Sequence, residues 1–82
     1  MRVVFISDTH NRHHKVVLPA GDMLIHAGDV SGRGTQKEIE DFLLWFSLQP
    51  HQYKIFIAGN HDFFIQQHPQ KFKEILPSNI TY

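Results

Sequence analysis

The sequence has 82 residues, enough for one small domain, and a chain of this size buries about 60–65% of its unfolded surface. Its 41% hydrophobic content is that of a folded globular protein and excludes a disordered chain. Eight basic residues balance eight acidic ones, so the charge disfavours nucleic-acid polymers and membranes as partners.

The absence of cysteine excludes disulfides and thiolate zinc sites. The first apolar run is too short for a signal peptide or a membrane span, so we expect a cytoplasmic protein. Histidine is frequent, at seven of 82 residues, which favours metal ions bound through imidazole and carboxylate groups. Four histidines are nevertheless expected at the surface with no role: His13, His14, His51 and His68.

The first predicted strand is Arg2–Ile6, a β-branched and aromatic run that matches a strand buried on both faces of a sheet. It leads into Asp8 and His10, which are two positions apart. If the backbone stays extended through Thr9, both side chains point the same way and can share one cation. The Asp-x-His pattern alone also occurs in ordinary turns at strand ends.

The second predicted strand, Met23–Ala27, ends in a Gly-Asp pair that supplies Asp29. His26 lies inside this apolar run, so we expect it in the core. The glycine-rich loop that follows contains Arg33. Two interpretations of Arg33 stay open, a solvated loop residue or a contact to phosphate through its planar guanidinium.

A helix is predicted after this loop, because Thr35 and Glu38 have the Thr-x-x-Glu form of a capping box. Apolar residues then recur at helical spacing until Pro50 ends the run. They form one stripe, which predicts core packing: Ile39, Phe42, Leu43 and Phe46.

The third predicted strand, Tyr53–Ala58, leads into Gly-Asn-His-Asp at positions 59–62. Strand, helix and strand form a βαβ unit, in which the strands are parallel. The carboxyl ends of parallel strands lie along one edge of the sheet, where ligands bind. Polar residues after the three strands are therefore expected to converge: Asp8, His10, Asp29, Asn60 and His61.

Two helical segments are predicted beyond the third strand, at Phe63–His68 and Pro69–Leu76. Ile80–Tyr82 then has the composition of a fourth strand. Because the sequence stops at the third residue of that strand, we expect a truncated chain.

The ordered motifs Asp-x-His, Gly-Asp and Gly-Asn-His-Asp resemble those of the calcineurin-like metallophosphoesterase family, and the resemblance covers essentially the whole chain. The runs 25–29 and 57–62 are most similar to its small phosphodiesterase-like members. The resemblance implies an α/β fold in which residues 1–82 form the N-terminal part of a single domain, with parallel βαβ units making half of an αββα sandwich. It also implies a hydrolase, a phosphoesterase acting on small phosphodiesters, with cyclic nucleotides as one candidate.

The same resemblance implies a dinuclear centre of divalent ions, Mn²⁺ in preference to Fe, Mg²⁺ or Zn²⁺. Asp8 and His10 would bind the first ion and Asp29 would bridge the two. Asn60 would bind the second ion.

The resemblance also assigns residues to catalysis and to the substrate. His61 would act as general acid to the leaving oxygen, oriented by Asp62. Asn60 and Arg33 are the candidates for contacts to the substrate phosphate.

Two features depart from the family pattern. Gly32 occupies the position of the second Asp in the Gly-Asp-x-x-Asp-Arg-Gly motif of protein phosphatases, which disfavours phosphoprotein substrates. Nothing in residues 63–82 matches the later lone histidine and Gly-His-x-His motif of the family. We therefore expect this chain alone to be inactive, with a missing C-terminal segment or a second copy completing the metal site. The alternative is a non-catalytic scaffold of the same fold that binds proteins, and the presence of His61 disfavours it.

Overall fold

The computed structural model describes residues 1–82 and contains one sheet of three parallel strands in the order β1-β2-β3. The strands are β1 (Val3–Ile6), β2 (Met23–His26) and β3 (Tyr53–Phe56). Thr81 adds one parallel bridge to Ile55, where the sequence predicts a fourth strand. The predicted parallel α/β architecture is confirmed, although each strand is one or two residues shorter than predicted.

The three strands are level with one another at their carboxyl ends. Ile6 of β1 pairs with His26 of β2, which pairs with Phe56 of β3. The segments that follow these three residues therefore leave the sheet along a single edge, as expected for parallel strands.

A 3-10 turn lies between β1 and β2, one helix lies between β2 and β3, and two helices follow β3. They are the 3-10 turn His13–Lys15, α1 (Gln36–Ser47), α2 (Phe63–Gln67) and α3 (Pro69–Ile75). Both hydrogen bonds of the predicted capping box are present, from the Glu38 amide to Thr35 and from the Thr35 amide to Glu38. None of the helices has the length and apolar character that crossing a membrane requires.

The core lies between the sheet and α1, as the apolar stripe predicts. All four stripe residues are buried, against the inward-facing side chains of the sheet, which include Val4, Leu24 and Phe56. Phe42 is central, with its ring centroid 5.0 Å from that of Phe46 and 5.3 Å from that of Phe56. Burial of these large apolar groups is the main source of stability.

The opposite face of the sheet is uncovered. Phe5 is 70% exposed, Val3 is 38% exposed and Tyr53 is 46% exposed. The prediction that the first strand is buried on both faces is therefore wrong. The physical reason is that the helices cover only one face, so alternate side chains of every strand are left on an apolar open face.

Two of the four histidines expected at the surface are buried. His13 is fully buried and His51 is 3% exposed. Nε2 of His13 lies 2.8 Å from Asp41, and Nε2 of His51 lies 3.1 Å from the carbonyl oxygen of Pro19. The surface prediction is wrong for these two, because partners distant in the sequence satisfy one nitrogen of each ring.

Candidate metal centre

Backbone hydrogen bonds continue beyond the ends of the strands and join the loops that follow them. The amide of Asp8 donates to the carbonyl of Gly28 over 2.9 Å, and the amide of His10 donates to that of Asp29 over 3.0 Å. The loop after β1 is thus fixed against the loop after β2.

Four polar residues in these loops have left-handed backbone angles. The φ angles are 54° at Asp8, 44° at His10, 65° at Asn11 and 59° at Asp29. Residues other than glycine rarely adopt this conformation, and it is concentrated at functional sites. The condition of an extended backbone from Asp8 to His10 is not met, and left-handed turns direct these side chains instead.

A cluster of metal-competent side chains forms at this edge of the sheet. One ligand atom from each of His10, Asp29 and His61 lies within 4.8 Å of the others. Nδ1 of His61 is 3.5 Å from Oδ1 of Asp29, and Oδ1 of Asp8 is 3.7 Å from Nε2 of His10. The Asp29 side chain is only 16% exposed, compared with 62% for Asp8. Residues that follow all three strands therefore meet in one place.

The environment of Asp29 favours its charged form. The backbone N–H of His61 donates a 2.8 Å hydrogen bond to Oδ1 of Asp29, and this bond is the main cause that holds the pKa of Asp29 below its usual value. Partial burial opposes the shift, while the side chains of Asp8 and His61 add to it. Asp29 is therefore negatively charged at neutral pH.

Gly59 makes room for the Asp29 carboxylate. A Cβ atom at this position would overlap the carboxylate and the backbone nitrogen of Asp29. Any larger residue at 59 would push the loop after β3 away from Asp29. The glycine of the Gly-Asn-His-Asp motif is thus a steric requirement of the cluster.

His26, the last residue of β2, connects the loops that carry the cluster. It is fully buried, as predicted for a core histidine. Its Nδ1 accepts a hydrogen bond from the Gly28 amide, so Nε2 carries the proton and donates to Oγ1 of Thr9 over 2.9 Å. Burial lowers the pKa of His26 to about 4, so the ring is neutral at neutral pH. Its two hydrogen bonds connect Thr9, in the loop after β1, with Gly28, in the loop after β2.

Comparison with known proteins decides the family. The sequence profile of the calcineurin-like phosphoesterases matches residues 1–82, the whole chain. The chain belongs to the calcineurin-like phosphoesterase family.

Several curated relatives of this phosphoesterase chain are similar over most of its length. Metallophosphoesterase domain-containing protein 1 of Homo sapiens is 46% identical over 66 residues, which are 80% of this chain and 20% of the relative. A UPF0046 protein of Caenorhabditis elegans is 47% identical over 62 residues, 76% of this chain and 21% of the relative. Probable rhamnogalacturonate lyase C of Emericella nidulans is 54% identical over 67 residues, 82% of this chain but 6% of that protein. The chain therefore spans about a fifth of the first two relatives and far less of the third.

The clustered residues fit the divalent metal ions that calcineurin-like phosphoesterases use. Imidazole and carboxylate groups are common ligands of Mn²⁺, Fe and Zn²⁺. His10 and Asp29 offer two such groups with ligand atoms within 4.8 Å of each other, and Asp8 offers a third, 3.7 Å from His10. Asn60 lies exposed in the same loop as His61.

Asp62 lies buried between the loops after β2 and β3, whereas the sequence suggests that it contacts the His61 ring. It is 1% exposed, and its carboxylate accepts hydrogen bonds from the amides of Val30, Ser31 and Gly59 and from the Ser31 hydroxyl. The expected orientation of His61 by Asp62 therefore does not occur through a direct hydrogen bond to the ring. Asp62 instead joins the loop after β2 to the loop after β3 and so fixes the backbone that carries His61.

Ser31 is a member of this network that sequence reasoning missed. Its buried hydroxyl lies 2.6 Å from Oδ1 of Asp62 and 3.2 Å from the carbonyl oxygen of His61. A small polar residue two positions after Asp29 is a weak pattern, so only the fold reveals this contact.

Arg33 lies beside the cluster but outside it. It is exposed and lines a groove of about 470 Å³ with Phe63, His68 and Lys71. The groove begins next to the loop of His61, because Gly34 packs against the His61 carbonyl. The side chains that line the groove include three basic ones, those of Arg33, His68 and Lys71.

Proposed function

We propose that this chain forms the N-terminal part of a phosphodiesterase with a dinuclear metal centre, which hydrolyses small phosphodiesters such as cyclic nucleotides. The observation that carries the proposal is the convergence of Asp8, His10, Asp29 and His61 from three separate strand ends. Mn²⁺ is the preferred ion of the proposal. A cytoplasmic location stays a prediction.

The residues of the cluster divide into ligands and a proton donor. Asp8, His10 and Asp29 would hold divalent metal, with Asn60 as a further ligand. When bound, the metal ions would supply Lewis-acid stabilisation of charge on the phosphoryl oxygens. His61 is half exposed and faces the cluster, so it is accessible to a substrate and placed to protonate the leaving oxygen.

The basic groove beside the cluster supports an anionic substrate of small size. Arg33, His68 and Lys71 line it, and no acidic residue does. Arginine binds phosphate through its planar set of donors. In this proposal Arg33 and Asn60 contact the phosphate, and the groove binds the rest of the substrate.

The uncovered face of the sheet is evidence for a further segment that packs against it. Its exposed side chains include Phe5 and Val3, which are 70% and 38% exposed, and exposed apolar side chains grouped on one face of a sheet mark an interaction site. We propose that a C-terminal segment or a second copy covers this face and supplies the remaining metal ligands. Under this proposal the chain alone is inactive.

The experiment is hydrolysis of bis(p-nitrophenyl) phosphate by the full-length protein, with and without Mn²⁺. We expect activity that requires Mn²⁺ and is abolished by Asp29→Ala, whereas Glu74→Ala, which removes an exposed carboxylate of α3, has no effect. Full activity of Asp29→Ala contradicts the proposal. Binding of Mn²⁺ without hydrolysis of any phosphodiester would instead favour a non-catalytic scaffold.

A further inference from the structure

A second group of metal-competent residues lies away from the strand ends. It consists of His13 and His14 in the 3-10 turn and Asp41 in α1, and one ligand atom of each lies within 4.8 Å of the others. We propose that these three residues form a second metal site that binds a borderline divalent cation such as Zn²⁺.

The distances between the ligand atoms suit one tetrahedral ion. Oδ2 of Asp41 is 2.8 Å from Nε2 of His13 and 3.1 Å from Nε2 of His14. Zinc binds nitrogen and oxygen at about 2.0–2.1 Å, which places neighbouring ligands about 3.3 Å apart. Only small movements of the side chains are needed to admit the ion between them.

The ring of His13 is held rigidly toward Asp41. It is fully buried and packs against Trp45 and Phe42, with centroid distances of 5.2 and 5.6 Å. Its Nδ1 is buried without a hydrogen-bond partner, so Nε2 is the only nitrogen of the ring with a polar neighbour. A ligand fixed by packing loses little conformational entropy when a metal binds.

The ion would take the place of two hydrogen bonds. Metal binding needs neutral imidazoles and a charged carboxylate. Without metal, Nε2 of His13 and Nε2 of His14 both lie within hydrogen-bonding distance of Oδ2 of Asp41. With the ion bound at both Nε2 atoms, each neutral ring would carry its proton on Nδ1.

The kind of ion and its role follow from the ligands and their exposure. Two imidazoles and one carboxylate without thiolate favour Zn²⁺ or a neighbouring transition metal over Mg²⁺ or Ca²⁺. The side chains of His14 and Asp41 are 60% and 45% exposed, so water can reach the fourth position. The ion would fasten α1 to the segment between β1 and β2, the segment that also carries Asp8 and His10.

Trp45 is the single tryptophan and lies beside His13, which makes fluorescence a direct probe. Paramagnetic Co²⁺ bound at the second site is expected to quench Trp45 emission saturably, with one ion per chain, and Zn²⁺ is expected to displace it. His14→Ala and Asp41→Asn should each lower the affinity at least tenfold. Asp29→Asn, which alters the strand-end cluster, should leave the quenching unchanged.

Two controls separate ligand loss from general damage. His68→Ala removes another exposed histidine and Glu40→Gln changes the carboxylate next to Asp41, and both should keep the quenching. In an Asp29→Asn background, Zn²⁺ should raise the melting temperature, and adding His14→Ala should abolish that rise. The proposal is overturned if Co²⁺ does not quench, if His14→Ala quenches like the unaltered protein, or if Asp29→Asn abolishes the quenching.

Discussion

The backbone N–H of His61 donates a 2.8 Å hydrogen bond to Oδ1 of Asp29, although the two residues are 32 positions apart. This bond joins the loops that follow β2 and β3 and lowers the pKa of Asp29. It forms only if the loop after β3 approaches Asp29 closely.

Gly59→Ala tests that close approach. The added Cβ would overlap the Asp29 carboxylate, so the two loops must separate. We expect Mn²⁺ affinity to fall about 10- to 100-fold, as when groups that orient metal ligands are lost. Isothermal titration of the full-length protein measures this. Gly32→Ala is the matched control, because its Cβ would meet the end of the Glu38 side chain at 3.3 Å and the His10 carbonyl oxygen at an ordinary contact distance of 3.8 Å. Equal affinities of the two variants would contradict the steric role of Gly59.

Asp62→Ala removes the carboxylate that accepts four hydrogen bonds from the two loops. Because the abandoned donors are buried, we expect the free energy of unfolding to fall by at least about 3 kcal/mol. Urea denaturation measures the change. The control is Asp22→Ala, whose exposed carboxylate accepts one hydrogen bond from the Arg2 amide and should cost about 1 kcal/mol. Similar losses in both variants would refute the structural role of Asp62.

His26 makes the stability depend on pH. Its pKa is about 4 in the folded chain and about 6.5 in the unfolded chain, so below pH 6.5 the unfolded state binds a proton that the folded state excludes. Stability contributed by this group is therefore complete above pH 6.5 and falls by about 3 kcal/mol as the pH drops to 4. His13 acts in the same direction, since burial also lowers its pKa.

The measurement is the free energy of unfolding between pH 7 and pH 4 for the unaltered chain and for His26→Gln. The variant should show a shallower fall, whatever its stability at pH 7. His68→Gln, at an exposed position, should keep the original slope. Parallel slopes in all three proteins would show that His26 does not control this dependence.

Glu38→Ala tests the start of α1. Besides its part in the capping box, the Glu38 carboxylate accepts hydrogen bonds of 3.0 Å from the amides of Gly32 and Arg33. We expect a loss of about 1–3 kcal/mol in stability, measured by thermal unfolding. Glu40→Ala should cost less than about 0.5 kcal/mol, because Glu40 is exposed and accepts only from the Gln36 side chain. A loss for Glu38→Ala no larger than for Glu40→Ala would refute the anchoring role.

Local patterns predict the secondary structure well in this chain. The capping box at Thr35 and the apolar stripe around Phe42 define α1, and Pro69 begins α3 as expected. These features depend on residues within a few positions of one another, so they can be interpreted without knowledge of the fold. The sequence predicts the first and last residues of the strands less accurately, because a strand ends where backbone pairing ends and not where the composition changes.

Long-range contacts account for the errors. His13 was expected at the surface, and only the packing of α1 shows that Phe42, Trp45 and Asp41 surround its ring. The apolar run Arg2–Ile6 predicts burial on both faces of the sheet. The sequence pattern cannot show that helices cover only one of these faces.

The sequence by itself determined the parallel α/β fold and the placement of carboxylate and imidazole side chains after the strands, since both follow from hydrophobic periodicity and the geometry of parallel strands. Only the tertiary structure decided how those residues meet. The hydrogen bond of His61 to Asp29 and the burial of Asp62 join segments more than twenty positions apart. The left-handed turns at Asp8 and His10 depend on contacts of this kind. Their geometry is set by packing and by the need to satisfy buried hydrogen-bonding groups, which no local pattern encodes.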